Sequence, residues 1–352
     1  MHPGLVSWCG ALLLNGAEPQ KESSYSAEPI FTVDDVLMLE PALSRSHLEK
    51  LPLSRTPVKH FPQEGLVDPQ MAVMRYIEQA KSFGATFIYH ARVSGYPWDV
   101  EGDVKGVCYS RSGGRVEELQ ADVVVLANGT GVERLAKAAG VRIPLLHKPG
   151  VLTWIQPGAL KLSKIIVSQD LHFLQRPDGL ISVGESKETG GASSAAYAIG
   201  QTSASGSSEP EIDVEQADGE VKAEEGRAIG ERMLASAQRL VPALEGAKVA
   251  FVTRGHRPMP GTAAPSPSCM LPVWACYGAS GLRHCLAEDG MPVVGFATNS
   301  CATRSPSLYI AVCHSGVTLG PLLGAMAALE IVEGVDVSCL SPYRPARFGP
   351  GG

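Results

Sequence analysis

An arginine stands between a glycine-histidine pair and a proline in the segment "RGHRPMPGTAAP", residues 254–265. The apolar run "KVAFV", residues 248–252, predicts a strand that leads into it, and Pro258 fixes the backbone on its other side. A guanidinium held in this way can bind a carboxylate through two parallel hydrogen bonds. Because most arginines are solvated at the surface, a structural role is the alternative for Arg257.

Two glycine turns follow apolar runs. In "VVVLANGTG", residues 123–131, the run predicts a buried parallel strand, and Gly129 and Gly131 let the backbone approach a ligand such as a phosphate. The segment "YIAVCHSGVTLGP", residues 309–321, repeats the order of strand, turn and helix, and the helix N-terminus carries partial positive charge. Either turn alone could be an ordinary turn of an α/β fold, but together they favour a ligand site.

His314 lies in the second turn, and the sequence leaves three roles open for it. It could be a general base, a ring packed beside a cofactor, or a core histidine with satisfied hydrogen bonds. The last two are favoured together, because no carboxylate that would orient the ring is evident in the sequence. The eight cysteines form no Cys-x-x-Cys pair, so we expect reduced thiols and no metal site.

Composition limits the classes of protein that are possible. The chain has 352 residues, of which 19% are charged and 44% hydrophobic, with a formal charge of −6. This is a globular composition, long enough for two domains, and it gives no electrostatic case for nucleic acid or a membrane surface. We expect a small-molecule partner. With neither a membrane span nor a basic leader, and with reduced cysteines, we expect the cytoplasm.

The elements that position these residues can be read from periodicity and turn residues. Asp68 is expected to cap a helix that Gly84 ends. The segment "ATFIYHARV", residues 85–93, then predicts a strand. Short β-like segments separated by turns over 144–191 predict an antiparallel sheet. A further helix is expected over about 227–239.

Two stretches are predicted to be insertions. Residues 192–226 are rich in Ser and Ala and then acidic, which predicts a disordered surface insertion. Residues 261–288 show neither helical nor strand periodicity and have a mixed Ala, Pro, Ser and Cys content. We expect them to be an irregular insertion that interrupts the segment begun at Arg257.

Six segments, taken in order, resemble the D-amino-acid oxidase and glycine oxidase type of FAD-dependent oxidoreductase. They are "ADVVVLANGTG", "RPDGLISVGE", "GHRPMP", "DGMPVVG", "LYIAVCHSGVTLGP" and "LSPYRPARF". The resemblance runs from about Met1 to Phe348, apart from the two insertions. Each motif is short, but the ordered set is fairly specific.

The resemblance implies a mixed α/β (α+β) fold, in which an incomplete Rossmann-like FAD-binding domain is interwoven with a substrate domain built on an antiparallel sheet. The FAD-binding domain would comprise residues 1–30, 60–140 and 289–352. The substrate domain would comprise residues 31–59 and 141–260.

The resemblance also implies roles for particular residues. Arg257, the expected catalytic residue, would hold the substrate carboxylate. The glycine turn near residue 129 would lie near the FAD pyrophosphate, the backbone of Val93 would contact the adenine, and the second turn with Gly295 would line the flavin. The expected cofactor-binding residues are Val93, Ala127, Asn128, Gly129, Gly131, Gly295, His314, Ser315, Gly316, Val317 and Thr318.

Two features depart from the family's pattern. The family opens with a strand, a GxGxxG turn, a helix and an acidic ribose ligand, and this sequence has no such fingerprint before "VDDVLMLEP". We therefore expect Met1 to fall after that N-terminal βαβ unit. The second departure is the insertion after Pro260, which allows a competing alignment with Arg283 as the carboxylate ligand. Arg257 is preferred, because a strand precedes it and Pro258 follows it.

The expected function is that of a FAD-dependent oxidoreductase, which oxidises a small amine or amino acid by hydride transfer to the flavin. The alternative is a non-catalytic, truncated family member that does not bind FAD, either a pseudoenzyme or a partner subunit. A third reading keeps the flavoenzyme fold with another substrate, as in a sarcosine-type dehydrogenase or a tRNA-modifying relative. The sequence leaves the oligomeric state open.

Overall fold

The computed structural model describes residues 4–14, 27–112, 114–185, 219–220, 223–260, 291–298 and 304–349. The strands are β1 (Val6–Ser7), β2 (Ala11–Leu13), β3 (Glu28–Ile30), β4 (Val58–Phe61), β5 (Leu66–Val67), β6 (Ala91–Gly95), β7 (Gly106–Arg111), β8 (Glu117–Gln120), β9 (Val124–Leu126), β10 (Leu145–Gln156), β11 (Ile165–Val167), β12 (Leu171–Gln175), β13 (Ile181–Glu185), β14 (Gly219–Glu220), β15 (Lys248–Pro260), β16 (Val293–Thr298) and β17 (Arg304–Val312). The α-helices are α1 (Val33–Leu39), α2 (Arg45–Leu48), α3 (Pro69–Ser82), α4 (Val132–Ala138), α5 (Ala223–Leu240) and α6 (Gly316–Val332). Short 3-10 helices cover Gly129–Gly131, Pro242–Leu244, Ser338–Tyr343 and Pro345–Phe348.

The chain divides into two compact units. Unit 1 contains the residues up to Ala72 together with Pro149–His256. Unit 2 contains Val73–Lys148 and the described residues from Arg257 onward. Each unit has its own hydrophobic core, which the sequence builds from separate stretches of the chain.

Unit 1 is organised around a nine-stranded sheet in the order β14-β15-β10-β13-β12-β11-β2-β4-β3. The pairs β10–β13, β13–β12 and β12–β11 are antiparallel, while β11 and β2 are parallel. A turn closed by the bond from the Gly179 amide to the Arg176 carbonyl, 2.9 Å, joins β12 to β13. The antiparallel sheet predicted over 144–191 is therefore confirmed.

Helix α5 covers one face of this sheet. Its apolar residues Ile229, Met233, Ala237 and Leu240 recur at helical spacing and are buried in the core that also contains Phe173 of β12. Full burial of a side chain such as Phe173 stabilises the fold by about 1.5–3 kcal/mol. The helix lies so close to β15 that a Cβ at Gly230 would come within 2.8 Å of Val249 Cγ1. A glycine is therefore needed at this contact.

Unit 2 contains two three-stranded sheets, in the orders β16-β17-β9 and β6-β7-β8. In the first, β16 and β17 are antiparallel and β17 and β9 are parallel; the second is antiparallel throughout. Helix α4 packs on one core through Val132, Leu135 and Ala136, and α6 packs on another through Leu319 and Leu323. The mixed α/β fold class is thus confirmed.

The predicted helix after residue 68 is confirmed as α3. The Asp68 carboxylate accepts hydrogen bonds from the amides of Gln70, 2.9 Å, and Met71, 3.1 Å, as an N-cap residue does. Gly84 ends the helical stretch at a φ of +93°.

The strand predicted over 85–93 is wrong for residues 85–90, because β6 begins only at Ala91. Among the described residues, no strand pairs with this segment. Its rings pack locally instead: Phe87 and Tyr89 stack with centroids 6.2 Å apart, and Lys81 Nζ lies 5.5 and 5.2 Å from them. Aromatic and β-branched residues favour a strand, but the strand forms only where a ladder partner exists.

The predicted end of the first insertion, residues 192–226, also differs from the structure. Residues 219–220 form β14, which pairs with β15, and α5 begins at Ala223 rather than at 227. Its first turn contains Glu224 and Glu225, and acidic side chains are favourable at a helix N-terminus. The acidic end of 192–226 is therefore a helix start, and not disordered. Residues 192–218 and 261–288 lie outside the described residues.

The domain assignment made from the sequence differs from the two units in two places. Residues 141–148 and 257–260, which we expected in the substrate domain, lie in unit 2. The described part of 1–30, together with 60–72, lies in unit 1, whereas we expected it in the FAD-binding domain. The physical reason is pairing, because β2 forms ladders with both β4 and β11 of the nine-stranded sheet.

Candidate functional site

The first glycine turn lies directly after β9. Gly129 has a φ of +60°, and among the described residues no heavy atom lies within 4 Å of a Cβ built on it. Gly131 differs, because a Cβ there would meet the Asn128 side-chain nitrogen at 2.7 Å. Gly131 is also the N-cap of α4 and provides no side-chain cap. The turn thus leaves the backbone open at Gly129, whereas the amide of Gly131 donates to the Asn128 carbonyl at 3.2 Å.

The second glycine turn joins β17 to α6. Ser315 adopts a left-handed conformation with φ +60° and ψ 37°, and its side chain does not cap the helix. Its hydroxyl instead lies 2.9 Å from His314 Nδ1. The amides of Thr318 and Leu319 both bond to the Ser315 carbonyl at 3.0 Å. Gly316, at the first helical position, has open space around its Cα within the described part of the chain.

Helix α6 is long enough for its dipole to matter at this turn. It spans 17 residues, and the amides of Gly316 and Val317 precede the first bonds to the Ser315 carbonyl, at the positive end of the helix dipole. Pro321 lies inside it and has no N–H to donate to the carbonyl of Val317. The carbonyl of Val317 therefore accepts no bond from residue 321, and the Val317 side chain is 53% exposed.

The two turns lie at the same edge of one sheet. β9 and β17 are parallel neighbours in the register Leu308 with Val124, Tyr309 with Val125 and Ile310 with Leu126. Their carboxyl ends therefore coincide, and each strand runs into its glycine turn there. Ligands of open α/β sheets bind at such carboxyl ends. The structure thus brings together the residues 127–131 and 314–318 that the sequence singled out separately.

Val93 lies in the other sheet of unit 2, in β6, at an irregularity where the register with β7 shifts. Its carbonyl accepts a hydrogen bond from Arg134 of α4 at 3.3 Å. The Tyr96 hydroxyl donates to the Leu135 carbonyl at 2.9 Å, and burial raises the pKa of Tyr96 to about 12, against the opposing charge of Arg134. These two bonds link β6 to the helix that follows the first glycine turn.

Gly295 has a packing reason of its own that the sequence did not reveal. It has a φ of +142° in β16, and a Cβ there would lie 2.9 Å from Arg344 Cδ and 3.3 Å from Pro345 Cδ. The C-terminal segment "YRP" therefore packs directly against Gly295. Gly295 is paired with Ile310, so it belongs to the same sheet as the two turns.

A buried charged cluster lies behind that contact. Glu330 of α6 is 5% exposed, and it accepts hydrogen bonds from the Tyr309 hydroxyl at 2.7 Å and from the Val337 amide at 3.0 Å. Arg344 bonds both carboxylate oxygens of Glu330 and also Asp336. The only sequence signal was a glutamate in register with the buried residues Leu319, Leu323 and Ala327 of α6.

The cluster shifts the acid–base behaviour of its members. Burial and the hydrogen bond to Glu330 raise the pKa of Tyr309. Burial alone would raise the pKa of Glu330, but the hydrogen bonds from Arg344 and Tyr309 outweigh it and hold that pKa below its ordinary value. The carboxylate of Glu330 is therefore ionised in the folded chain at neutral pH.

Comparison with known proteins decides the family. The family model described as "DAO: FAD dependent oxidoreductase" matches residues 6–329. The chain belongs to this family. A comparison with curated proteins finds no match.

Solved structures share the fold of this family member. L-proline dehydrogenase from P. horikoshii is 18% identical with a TM-score of 0.64, over 98% of this chain and 78% of that chain. Glycine oxidase from Geobacillus kaustophilus is 18% identical with a TM-score of 0.65, over 97% and 76%. Iminodiacetate oxidase from Chelativorans sp. BNC1 is 16% identical with a TM-score of 0.61, over 97% and 76%. At these identities the likeness shows the fold.

FAD is the cofactor of the family, and the residues of unit 2 fit it. A dinucleotide needs backbone close to its phosphates and a positive helix end near its negative charge. Gly129 and Gly316 leave the space, and the first turn of α6 supplies the dipole.

Among the described residues, no helix is long and apolar enough to cross a bilayer.

The structure locates Arg257 only by its backbone. Arg257 lies in β15, ten residues into the strand Lys248–Pro260, and its side chain lies outside the described residues. Arg283, the competing residue, lies outside them altogether. Arg254 of the same motif is ion-paired with Glu225 of α5. A role for Arg257 in binding a carboxylate stays a prediction.

Proposed function

We propose that this FAD-dependent oxidoreductase oxidises a small amine or amino acid. The observation that carries the proposal is the parallel pair β9 and β17, which ends in two glycine turns at one edge of the sheet. Family membership supports amine or amino-acid oxidation in general. It favours an enzyme over a non-catalytic relative that binds no FAD.

We assign the cofactor to unit 2. Backbone amides around Gly129 would hold the phosphates, because that residue places no Cβ between the chain and its ligand, and Gly131 would lie beside them at the start of α4. The amides of Gly316 and Val317 would face negative charge on the ring system, and the dipole of α6 favours such charge. Bound FAD supplies the chemistry that the side chains lack, which is the acceptance of a hydride from the amine-bearing carbon.

Arg257 would hold the carboxylate of an amino-acid substrate. A guanidinium there would bind both carboxylate oxygens and fix the orientation of the substrate. Arg283 remains the competing residue for this role.

His314 would be a positioning group rather than a base. Its Nδ1 lies within hydrogen-bond distance of the Ser315 hydroxyl, so the ring is held against the turn that begins α6. An amine substrate that is already neutral needs no base to lose a hydride from its carbon. The proton of a charged amine would be lost to water before binding.

The reaction is tested by anaerobic mixing of the FAD-loaded protein with glycine, L-proline and iminodiacetate, the compounds named for the structural neighbours. We expect at least one primary or secondary amine to bleach the flavin absorbance near 450 nm, about the usual position of that band. Alcohols and hydroxy acids of the same size serve as controls. Bleaching by those controls, with none by any amine, would contradict the proposed substrate class.

A further inference from the structure

Arg344 is held from two sides within unit 2. Its guanidinium bonds both oxygens of Glu330, with Nη1 2.6 Å from Oε2, and it also donates to the backbone carbonyls of Val294, 3.4 Å, and Val337, 3.3 Å. The side chain of Arg344 is 22% exposed and that of Glu330 is 4% exposed. Since a buried carboxylate left without its partner is costly, the guanidinium is not free to move away.

The same side chain fills the space over Gly295. A Cβ at this position would stand 2.9 Å from Cδ and 3.0 Å from Nη1 of Arg344. Arg344 therefore touches the β16 backbone at the residue expected to line the flavin. Because Glu330 fixes the guanidinium from behind, the contact restrains where the backbone of β16 can lie.

Arg347 restrains the start of the same strand. Its guanidinium donates to the carbonyls of Met291, 3.0 Å, and Pro292, 2.9 Å, which precede β16, and to that of Tyr343, 2.9 Å. Two arginines three residues apart thus reach consecutive parts of one strand from the C-terminal segment. A planar guanidinium suits this task, because it keeps several donors in a fixed arrangement.

We propose that Arg344 and Arg347 form a clamp that fixes the backbone of β16 at Gly295 for the cofactor, with Arg344 as a positioning residue. The role towards the flavin rests on the proposed function, in which Gly295 lines that ring. The clamp itself involves only residues of this chain. Its two parts can therefore be tested separately.

The clamp is tested by amide hydrogen exchange without added FAD. Arg344→Lys keeps a cation beside Glu330 but loses the paired bonds, whereas Arg344→Ala would leave a buried carboxylate without its partner. We expect the amides of 293–298 to exchange about tenfold faster in Arg344→Lys, the factor for losing a typical hydrogen-bond contribution. The amides of Val58–Phe61 in unit 1 are expected to keep their rates.

Arg45→Ala is the matched control, because Arg45 forms an exposed ion pair with Asp34 in unit 1. It is expected to leave exchange in 293–298 unchanged. Unchanged exchange there in Arg344→Lys, or an equal increase throughout the chain, would overturn the clamp whether or not FAD binds.

The positioning role is tested with FAD-loaded protein. We expect Arg344→Lys to weaken FAD binding about tenfold and to shift the visible circular dichroism of the flavin, whereas Arg45→Ala changes neither. Faster exchange in 293–298 with an unaltered FAD dissociation constant and spectrum would overturn the positioning role. A wild-type chain that binds no FAD would contradict the proposed function, while the exchange result would still decide the clamp.

Discussion

Leu126 of β9 and Ile310 of β17 are partners in a parallel ladder, and each lies a few residues before a glycine turn. This pairing places Gly129 and His314 at the same edge of one sheet, although 185 residues separate them in the sequence. The carboxyl edge of parallel strands is where α/β proteins bind nucleotides.

Gly129→Val tests the first glycine turn. A left-handed φ of +60° is strained for a β-branched residue, which costs about 1–2 kcal/mol, and the new side chain would occupy the space assigned to phosphate. We expect both a lower free energy of unfolding and at least about a tenfold rise in the FAD dissociation constant.

The matched control is Gly158→Val. Gly158 has a φ of +66° with no heavy atom of the described residues within 4 Å of an added Cβ, so the backbone strain is comparable. Its variant should lose a similar free energy of unfolding and keep the wild-type FAD affinity. Equal losses of FAD affinity in both variants would exclude a specific role for Gly129.

Gly316→Asp tests the second turn. A carboxylate at the first position of α6 interacts favourably with the helix dipole and should not destabilise the fold. It would repel negative charge on the flavin, so we expect weaker FAD binding and a more negative reduction potential. Gly316→Asn provides the uncharged control. Wild-type potentials in both variants would place the flavin away from this helix end.

The buried cluster predicts a pH dependence. The pKa of Glu330 is held below its ordinary value of 4.5, so the contribution of the carboxylate to stability is complete above that pH. It is lost as the pH falls through the lower pKa of the folded chain. As the pH falls from about 6 to 3, the free energy of unfolding measured with urea should therefore decrease less in Glu330→Gln than in the wild type. An equal decrease with pH in the two proteins would mean that Glu330 is not the ionised partner of Arg344.

Substrate binding separates the two arginine alignments. Arg257→Ala should raise KM for a carboxylate substrate by an amount equivalent to about 2–5 kcal/mol and leave KM for an amine without a carboxylate little changed. Arg283→Ala should change neither. A large effect of Arg283→Ala, with KM unchanged in Arg257→Ala, would reverse the alignment.

Local signals predicted much of the fold and of the candidate site. Asp68 and Gly84 marked the ends of α3 through cap chemistry that involves only neighbouring residues. The two glycine turns were found because an apolar run followed by glycines predicts a buried strand and the turn after it from neighbouring residues alone. Each of these signals is contained within about fifteen residues of sequence.

What the sequence did not show depends on partners far along the chain. Residues 85–90 are rich in β-branched and aromatic side chains, yet no described strand pairs with them, so propensity alone gave the wrong result. The bonds from Arg344 to Glu330 and from Tyr309 to Glu330 join a strand, a helix and the C-terminal segment. The periodicity of a single segment does not predict contacts between residues so far apart in the sequence. The contact of Arg344 with Gly295 was missed for the same reason.

The most direct test of the central claim is a titration of the purified chain with FAD, followed by gel filtration. We predict that flavin absorbance co-elutes with the protein at close to one FAD per chain, and that Gly129→Val loses it while Gly158→Val retains it. A folded wild-type chain that elutes colourless after incubation with excess FAD would contradict the account.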